Sequence, residues 1–216
     1  MKLARRARAS FSFGCRASVR LTAMPSPGRG WTRAAASGGS GAGTATRYAT
    51  SDGIRNGTRE MRYCLRGREI THDALCKHLE ATGLAGTIAV VACDKPPVGT
   101  LAALLEHNQP SIIMSDGTIH PGKDPETGEA LDIVSAYQVA GHPDATLRHR
   151  IACNACPGIG SCGGMFTYNT MQTFIGVVGM QPLNMVAPPS DDPRRLKEFP
   201  AELVEILANM IAKDIK

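Results

Sequence analysis

The chain has 216 residues, of which 43% are hydrophobic and 20% are charged, enough for one globular domain with its own core. No stretch is apolar over the 18 or so residues that a membrane helix needs, which argues against a membrane protein. The net charge of +5 is uneven, because residues 1–51 hold nine Lys or Arg and no acidic residue, so the remainder carries −4.

Residues 1–50 are predicted to form a basic, disordered segment ahead of a domain at 51–216. Arg and Ser without acids are followed by a Gly/Ala/Ser tract at 34–44, which is typical of a flexible linker. An organelle transit peptide has this composition, and so has upstream sequence that was never selected to fold. The expected location is the cytoplasm, or an organelle matrix if the segment is a transit peptide. With few aromatics and no recognisable module, the segment does not indicate nucleic-acid binding.

Helical periodicity at 59–82 predicts one or two helices that end at Gly83. The apolar run at 87–92 lacks alternation, which favours a strand buried on both faces. A helix at about 98–107 and a second strand at 110–114 follow. Strand, helix and strand in this order predict a βαβ unit with parallel pairing.

The rest of the chain is predicted to be mainly helical. A loop at 120–129 and an irregular stretch at 182–193 separate further helices, which are expected at 133–140, 144–151, 165–178 and 196–215. The predicted fold class is therefore α/β, with a parallel sheet flanked by helices.

Cys93, Asp94 and Lys95 follow the central strand directly. The carboxyl ends of strands are where ligands bind in open α/β sheets. A soft metal ligand, a hard metal ligand and an amine at this place are difficult to explain by packing. The sequence therefore predicts that a functional site is organised around these three residues.

The function of a second cysteine-rich stretch can be interpreted in several ways. Cys153 and Cys156 form a C-x-x-C, and Cys162 follows in a Gly-rich loop. The seven cysteines, without a secretory signal, are expected to be reduced thiols, and such clusters more often bind metals than form disulfides. The loop formally matches a dinucleotide motif but lacks the preceding apolar strand. A zinc or redox module on Cys153 and Cys156, or buried structural thiols, are the alternatives, and backbone N–H groups of the loop could stabilise a Cys162 thiolate.

Three loop aspartates, Asp52, Asp94 and Asp116, are candidate ligands of a hard cation such as Mg²⁺. Most aspartates in turns are merely solvated, so Asp94 stands out only through its neighbours. The six histidines are scattered, and His72 and His78 are expected on a helix surface without a role.

Several motifs together carry a resemblance to a known family. They are Cys93-Asp94-Lys95 with Gly99-Thr100-Leu101, the run 155–171 (ACPGIGSCGGMFTYNTM), Asp52-Gly53-Ile54 with Gly57-Thr58, and Pro110-Ser111-Ile112 with Gly117-Thr118. In this order they resemble the dihydroxy-acid dehydratase / 6-phosphogluconate dehydratase family, over residues 51–216 and nearest to the dihydroxy-acid dehydratases.

The resemblance implies cofactors and ligands. Cys93 and Cys162 resemble ligands of an iron–sulfur cluster, with [2Fe–2S] favoured over [4Fe–4S]. Asp52 and Asp94 resemble the Mg²⁺ ligands, and Lys95 resembles the lysine that binds Mg²⁺ after carbamylation. The implied reaction is dehydration of a small 2,3-dihydroxy carboxylic acid to a 2-keto acid, as in branched-chain amino acid biosynthesis.

The resemblance also implies an incomplete site. A third cluster cysteine, a last magnesium-binding glutamate and a catalytic serine have no match in this chain, so no catalytic residue is assigned. The expectation is an incomplete copy of the family's N-terminal domain, namely a hydro-lyase half that works only if a partner chain supplies these residues and is then homo-oligomeric. A sugar-acid dehydratase fragment and a non-enzymatic metal-binding remnant are the alternatives.

Overall fold

The apolar run predicted as the central strand forms β3, Gly86–Val91, in a computed structural model that describes residues 18–24, 44–48 and 58–216. A helix, α2 (Lys95–His107), connects β3 to β4 (Ser111–Ser115), and the two strands pair in parallel. The predicted βαβ unit is therefore confirmed. The helix begins three residues earlier than predicted, because the prolines at 96 and 97 occupy its first turn, where no backbone N–H is needed.

Two further strands extend the sheet. They are β1 (Ser18–Met24) and β2 (Thr44–Tyr48), and the strand order is β2-β1-β3-β4. β1 pairs antiparallel with both β2 and β3. No strand is predicted for residues 1–50 from the sequence, although Val19, Leu21 and Ala23 alternate with polar residues as a strand requires. The sheet is thus mixed, with the predicted parallel pair at one side.

Three helices cover one face of the sheet: the helix at 62–82, α2, and the helix at 167–177. The first, α1 (Arg62–Thr82), is a single helix preceded by a 3₁₀ turn at Arg59–Met61. It ends at Gly83, whose φ of 57° provides the predicted left-handed C-terminus. At Gly99 of α2, a Cβ would lie 2.4 Å from the carbonyl oxygen of Arg68, so a glycine is needed where α1 and α2 approach. The core on this face comprises Leu75, Leu79, Ala89, Val91, Leu101, Ala103, Leu104, Ile113 and Ile175.

The helix at 198–212 covers the opposite face of the sheet. Its Phe199, Leu203 and Leu207 pack with Ile88 of β3 and Ile112 of β4. Neighbouring residues of β3 therefore enter different cores, which confirms that this strand is buried on both faces. No helix in the described part of the chain is long and apolar enough to cross a membrane.

The segment 122–155 has a smaller core of its own beside the sheet, made of Leu131, Ala136, Ile151 and Ala155. Two short strands, β5 (Gly122–Lys123) and β6 (Ala130–Leu131), pair antiparallel across the predicted loop. The helices of this segment are α3 (Ile133–Gln138) and α4 (Ala145–Asn154). The two helices that follow, α5 (Thr167–Val177) and α6 (Glu198–Ala212), pack on the two faces of the sheet. Short 3₁₀ turns occur at Leu183–Met185 and Pro193–Leu196, within and just after the stretch predicted to be irregular.

Candidate metal centre

Cys93 lies in the turn between β3 and α2 with an unusual backbone conformation. Its φ of 64° is in the left-handed region, which costs a residue with a Cβ roughly 1–2 kcal/mol. The residue is only 4% exposed, and its backbone N–H donates to Ser161 Oγ at 3.1 Å. A strained conformation that the surrounding structure holds in place is characteristic of functional sites. Here it sets the direction of the thiol at the end of the central strand.

Asp94 lies between a thiol and an amine. The Cys93 thiol donates to Asp94 Oδ1 at 3.1 Å, and Lys95 Nζ lies 3.6 Å from Asp94 Oδ2. Asp94 is the N-cap residue of α2, yet its side chain makes no capping hydrogen bond. Both charged side chains are about one-fifth exposed, at 19% for Asp94 and 21% for Lys95. The turn thus presents a sulfur, a carboxylate and an amine side by side.

The second cysteine stretch meets this turn through Ser161. Its hydroxyl accepts from the Cys93 N–H and donates to the Asp116 carboxylate at 3.0 Å. The next residue, Cys162, is half-buried, and Asn169 of α5 fixes its carbonyl by donating to it at 2.8 Å. Burial, and next the charges of Cys93 and Asp94, raise the pKa of the Cys162 thiol to about 11. Cys93, Asp94 and Cys162 therefore share one edge of the sheet.

The loop before Cys162 packs so closely against its neighbours that position 160 requires a glycine. Gly160 has a φ of 125°, and a Cβ there would lie 2.7 Å from the backbone N of Ile119 and 2.5 Å from Ser190 Oγ. The loop lies against the segment that follows β4, with Thr118 bridging to Ser161. Stabilisation of a Cys162 thiolate by the backbone N–H groups of this loop stays a prediction. Burial and neighbouring negative charge have the largest effect on the Cys162 thiol, and they raise its pKa.

A buried polar network of Asp116, Ser161, Tyr168 and Arg195 lies next to the site. Asp116 follows β4 and accepts hydrogen bonds from Tyr168 Oη at 2.7 Å and from Ser161. Burial is the main reason why its pKa rises from 3.8 to about 6. The Arg195 guanidinium, 8% exposed, donates to the carbonyls of Ser115, Pro188 and Pro189. This network fixes the ends of β4 and of the Cys162 loop.

This network is not predicted from the sequence. The sequence indicates Asp116 only as one loop aspartate among three, and it predicts no role for Ser161, Tyr168 or Arg195. The position of Asp116 directly after β4 was the available signal, because parallel neighbouring strands end at the same edge. Arg195 lies too far along the chain for a local pattern to indicate its partners.

The predicted ligands that the structure describes lie together. Cys93, Asp94, Lys95 and Cys162 occupy one edge of the sheet, whereas Asp52 lies outside the described residues. Two thiols with a carboxylate are ligand types that fit an iron–sulfur cluster and a hard cation. Because burial and then the charges of Cys93 and Asp94 raise the pKa of the Cys162 thiol, metal binding there would have to displace a proton. Cys153 is exposed at the end of α4, and Cys156 is half-buried.

Comparison with known proteins agrees with the motifs. Residues 30–216 match the family model described as dihydroxy-acid/6-phosphogluconate dehydratase N-terminal. The chain is 40% identical over 171 residues to the mitochondrial dihydroxy-acid dehydratase pbrD of Penicillium brasilianum, covering 77% of this chain and 28% of the relative. It is 37% identical over 172 residues to the dihydroxy-acid dehydratase of Cytophaga hutchinsonii, covering 77% and 30%.

The matched region covers less than a third of the length of these curated relatives. The match nevertheless extends over most of this chain, and it includes both cysteine stretches and the central βαβ unit. The predicted resemblance is therefore confirmed, and the chain belongs to the dihydroxy-acid/6-phosphogluconate dehydratase family, of which it carries the N-terminal domain.

Proposed function

We propose that this chain forms part of a hydro-lyase that converts 2,3-dihydroxy carboxylic acids to 2-keto acids. One observation carries the proposal. The hydrogen bond from the Cys93 N–H to Ser161 joins the two segments whose cysteines and carboxylate provide a metal-binding donor set. The names of the relatives, dihydroxy-acid dehydratase, support the substrate class.

Within this proposal Cys93 and Cys162 bind an iron–sulfur cluster, [2Fe–2S] rather than [4Fe–4S]. Asp94, Asp52 and a carbamylated Lys95 bind Mg²⁺. Carbamylation joins the Lys95 amine to the carbon of CO₂ and releases a proton, which turns an amine into an oxygen ligand of the kind that Mg²⁺ prefers. When bound, the two metal centres supply Lewis acids that stabilise the negative charge developing during loss of water.

The chain's own residues hold this arrangement rigid. The Ser161 hydroxyl fixes Cys93 by accepting a hydrogen bond from the Cys93 backbone N–H. Asp116 and Tyr168 in turn hold Ser161 and the end of β4. The Lys95 amine, 3.6 Å from Asp94, is positioned so that a carbamate would share the cation with that carboxylate. Three further groups, a cluster cysteine, a magnesium-binding glutamate and a serine base, would come from residues outside the matched motifs, in this chain or in a second copy of it.

A turnover assay tests the proposal. The chain is reconstituted anaerobically with iron, sulfide and Mg²⁺, with bicarbonate present for Lys95, and given 2,3-dihydroxy-3-methylbutanoate. Formation of the 2-keto acid is expected to disappear in Lys95→Arg, which keeps the charge but cannot form the carbamate. The matched control is Lys123→Arg in the short strand β5. Absence of product from the reconstituted wild-type chain would overturn the enzymatic proposal for this chain alone.

Two other functions lead to different outcomes. The matched family also includes 6-phosphogluconate dehydratases, so faster conversion of a sugar acid than of the branched dihydroxy acid would reassign the substrate. Metal binding without turnover would favour a non-enzymatic remnant.

A cytoplasmic location is proposed. An organelle matrix is the alternative, since one relative is named as mitochondrial.

A further inference from the structure

A second group of potential metal ligands lies between α1 and α2. The atoms are His72 Nε2, Cys76 Sγ and a carboxylate oxygen of Glu106, and all lie within 4.8 Å of one another. His72 Nε2 is 2.8 Å from Glu106 Oε2 and 3.6 Å from Cys76 Sγ. His72 and Cys76 are half-buried, while the Glu106 side chain is 65% exposed. The sequence alone predicts that His72 is a surface residue without a role.

Helix geometry explains why these side chains meet. His72 and Cys76 are four residues apart on α1 and therefore project from the same face. Glu106 lies in the last turn of α2, which packs along α1 through the close approach at Gly99. Lys95 begins the same helix, and eleven residues of helical rise place Glu106 about 17 Å from it along the axis. The group is therefore separate from the Cys93 centre.

The distances approach those of a tetrahedral zinc site. With Zn–N and Zn–O near 2.1 Å and Zn–S near 2.3 Å, tetrahedral ligands lie about 3.4 Å apart for N and O and about 3.6 Å apart for S and N. The His72–Cys76 distance of 3.6 Å already has this value. The His72–Glu106 distance of 2.8 Å must open by roughly half an ångström, which the exposed Glu106 side chain permits.

The surroundings of His72 and Cys76 favour a cation. His72 Nδ1 lies 3.0 Å from Asp73 Oδ1, an arrangement that fixes the ring and leaves Nε2 to face a metal, as in carboxylate–histidine–zinc triads. Cys76 lies in the field of Glu106, Asp73 and Glu80. A Cys76 thiolate and the Glu106 carboxylate together carry −2, which one divalent ion neutralises.

We propose that His72, Cys76 and Glu106 bind a zinc ion that links α1 to α2. Water completes the tetrahedron, because three protein ligands leave one position open. The mixed nitrogen, sulfur and oxygen set suits Zn²⁺, whereas Mg²⁺ and Ca²⁺ prefer oxygen ligands. An interhelical His72–Glu106 pair without metal would contribute less than about 1 kcal/mol at this exposure, and it gives no reason for Cys76 to lie beside it.

The chain contains a matched control. His149 and Cys153 have the same four-residue spacing on α4, with Sγ 3.7 Å from His149 Nε2. In the part of the chain that the structure describes, no acidic residue joins them to form a group of three potential ligands. The pair reproduces the helical His–Cys geometry without the carboxylate, so it should bind zinc much more weakly.

Zinc affinity is measured by competition with a chromophoric chelator, using the full chain stripped of metal and kept reduced. A Cys93→Ser/Cys162→Ser background removes the thiols of the other centre. One equivalent of Zn²⁺ should bind, and Co²⁺ in its place should give a thiolate-to-cobalt charge-transfer band. Cys76→Ser should abolish the band and weaken zinc binding at least about 100-fold, and Asp73→Asn should weaken it by roughly 10–100-fold. Cys153→Ser should change neither.

A second measurement needs no variant, in case a substitution prevents folding. In the wild-type chain Zn²⁺ should protect Cys76 from alkylation, detected by mass spectrometry, while Cys153 stays reactive. Equal zinc affinity in Cys76→Ser, loss of binding in Cys153→Ser, or alkylation of Cys76 at the same rate with and without Zn²⁺ would each overturn the proposal.

Discussion

Replacing Asp116 by asparagine should change how the stability of the domain depends on pH. The carboxyl of Asp116 is buried beside Ser161 and Tyr168, and burial raises its pKa from 3.8 to about 6, although both hydrogen bonds act in the opposite direction. Between about pH 4 and pH 6 the folded chain therefore holds a proton that the unfolded chain has released. The free energy of unfolding must consequently fall as pH rises through this window.

The size of this fall follows from the two pKa values. Each pH unit between them corresponds to about 1.4 kcal/mol, so ionisation of Asp116 should cost up to about 3 kcal/mol above pH 6. At pH 4 the protonated carboxyl and an asparagine amide are both neutral and of similar shape. Asp116→Asn should therefore gain stability relative to wild type by up to about 3 kcal/mol between pH 4 and pH 8.

Urea unfolding of both proteins at several pH values measures this difference directly. Ser161→Ala provides a second test. Loss of the Ser161 hydrogen bond should raise the pKa of Asp116 further, so the free energy of unfolding should continue to fall up to a higher pH than in the wild type. If the difference between wild type and Asp116→Asn were the same at pH 4 and pH 8, the assigned environment of Asp116 would be wrong.

The remaining predictions concern residues that shape the site, all measured by urea unfolding. Cys93→Gly should be about 1 kcal/mol more stable than Cys93→Ala, because glycine relieves the left-handed backbone at φ 64°; equal stability would contradict that strain. Tyr168→Phe should lose about 1–3 kcal/mol, since its hydroxyl bonds Asp116 and the Gly117 N–H, and a neutral effect would refute that contribution. Gly160→Ala should lose at least about 2 kcal/mol, because its Cβ would meet the backbone of Ile119, and wild-type stability would refute the packing.

Features encoded by neighbouring residues could be predicted from the sequence. The apolar run before Cys93 lacks alternation, which predicts a strand buried on both faces, and helices do cover both sides of the sheet. The βαβ unit followed from the order of three short segments, and the left-handed end of α1 followed from Gly83. In each case the signal lies within the segment that forms the feature.

Features that depend on distant residues could not be predicted in the same way. Strand β1 pairs with β3, about 70 residues later in the chain, and its short alternating pattern was outweighed by the basic, Gly-rich composition around it. The buried environment of Asp116 depends on Tyr168, which lies 52 residues away. The group at His72 required the packing of two helices, because the spacing of His72 and Cys76 alone does not indicate Glu106.

Iron and sulfide content after anaerobic reconstitution tests the central claim most directly, namely that Cys93 and Cys162 bind one metal centre. The wild-type chain should take up iron and sulfide in equal amounts and become brown. Cys93→Ala and Cys162→Ala should each lose the cluster, whereas Cys153→Ala should retain it, because Cys153 is exposed at the end of α4. A colourless wild-type chain, or a cluster that survives both single substitutions, would contradict the account.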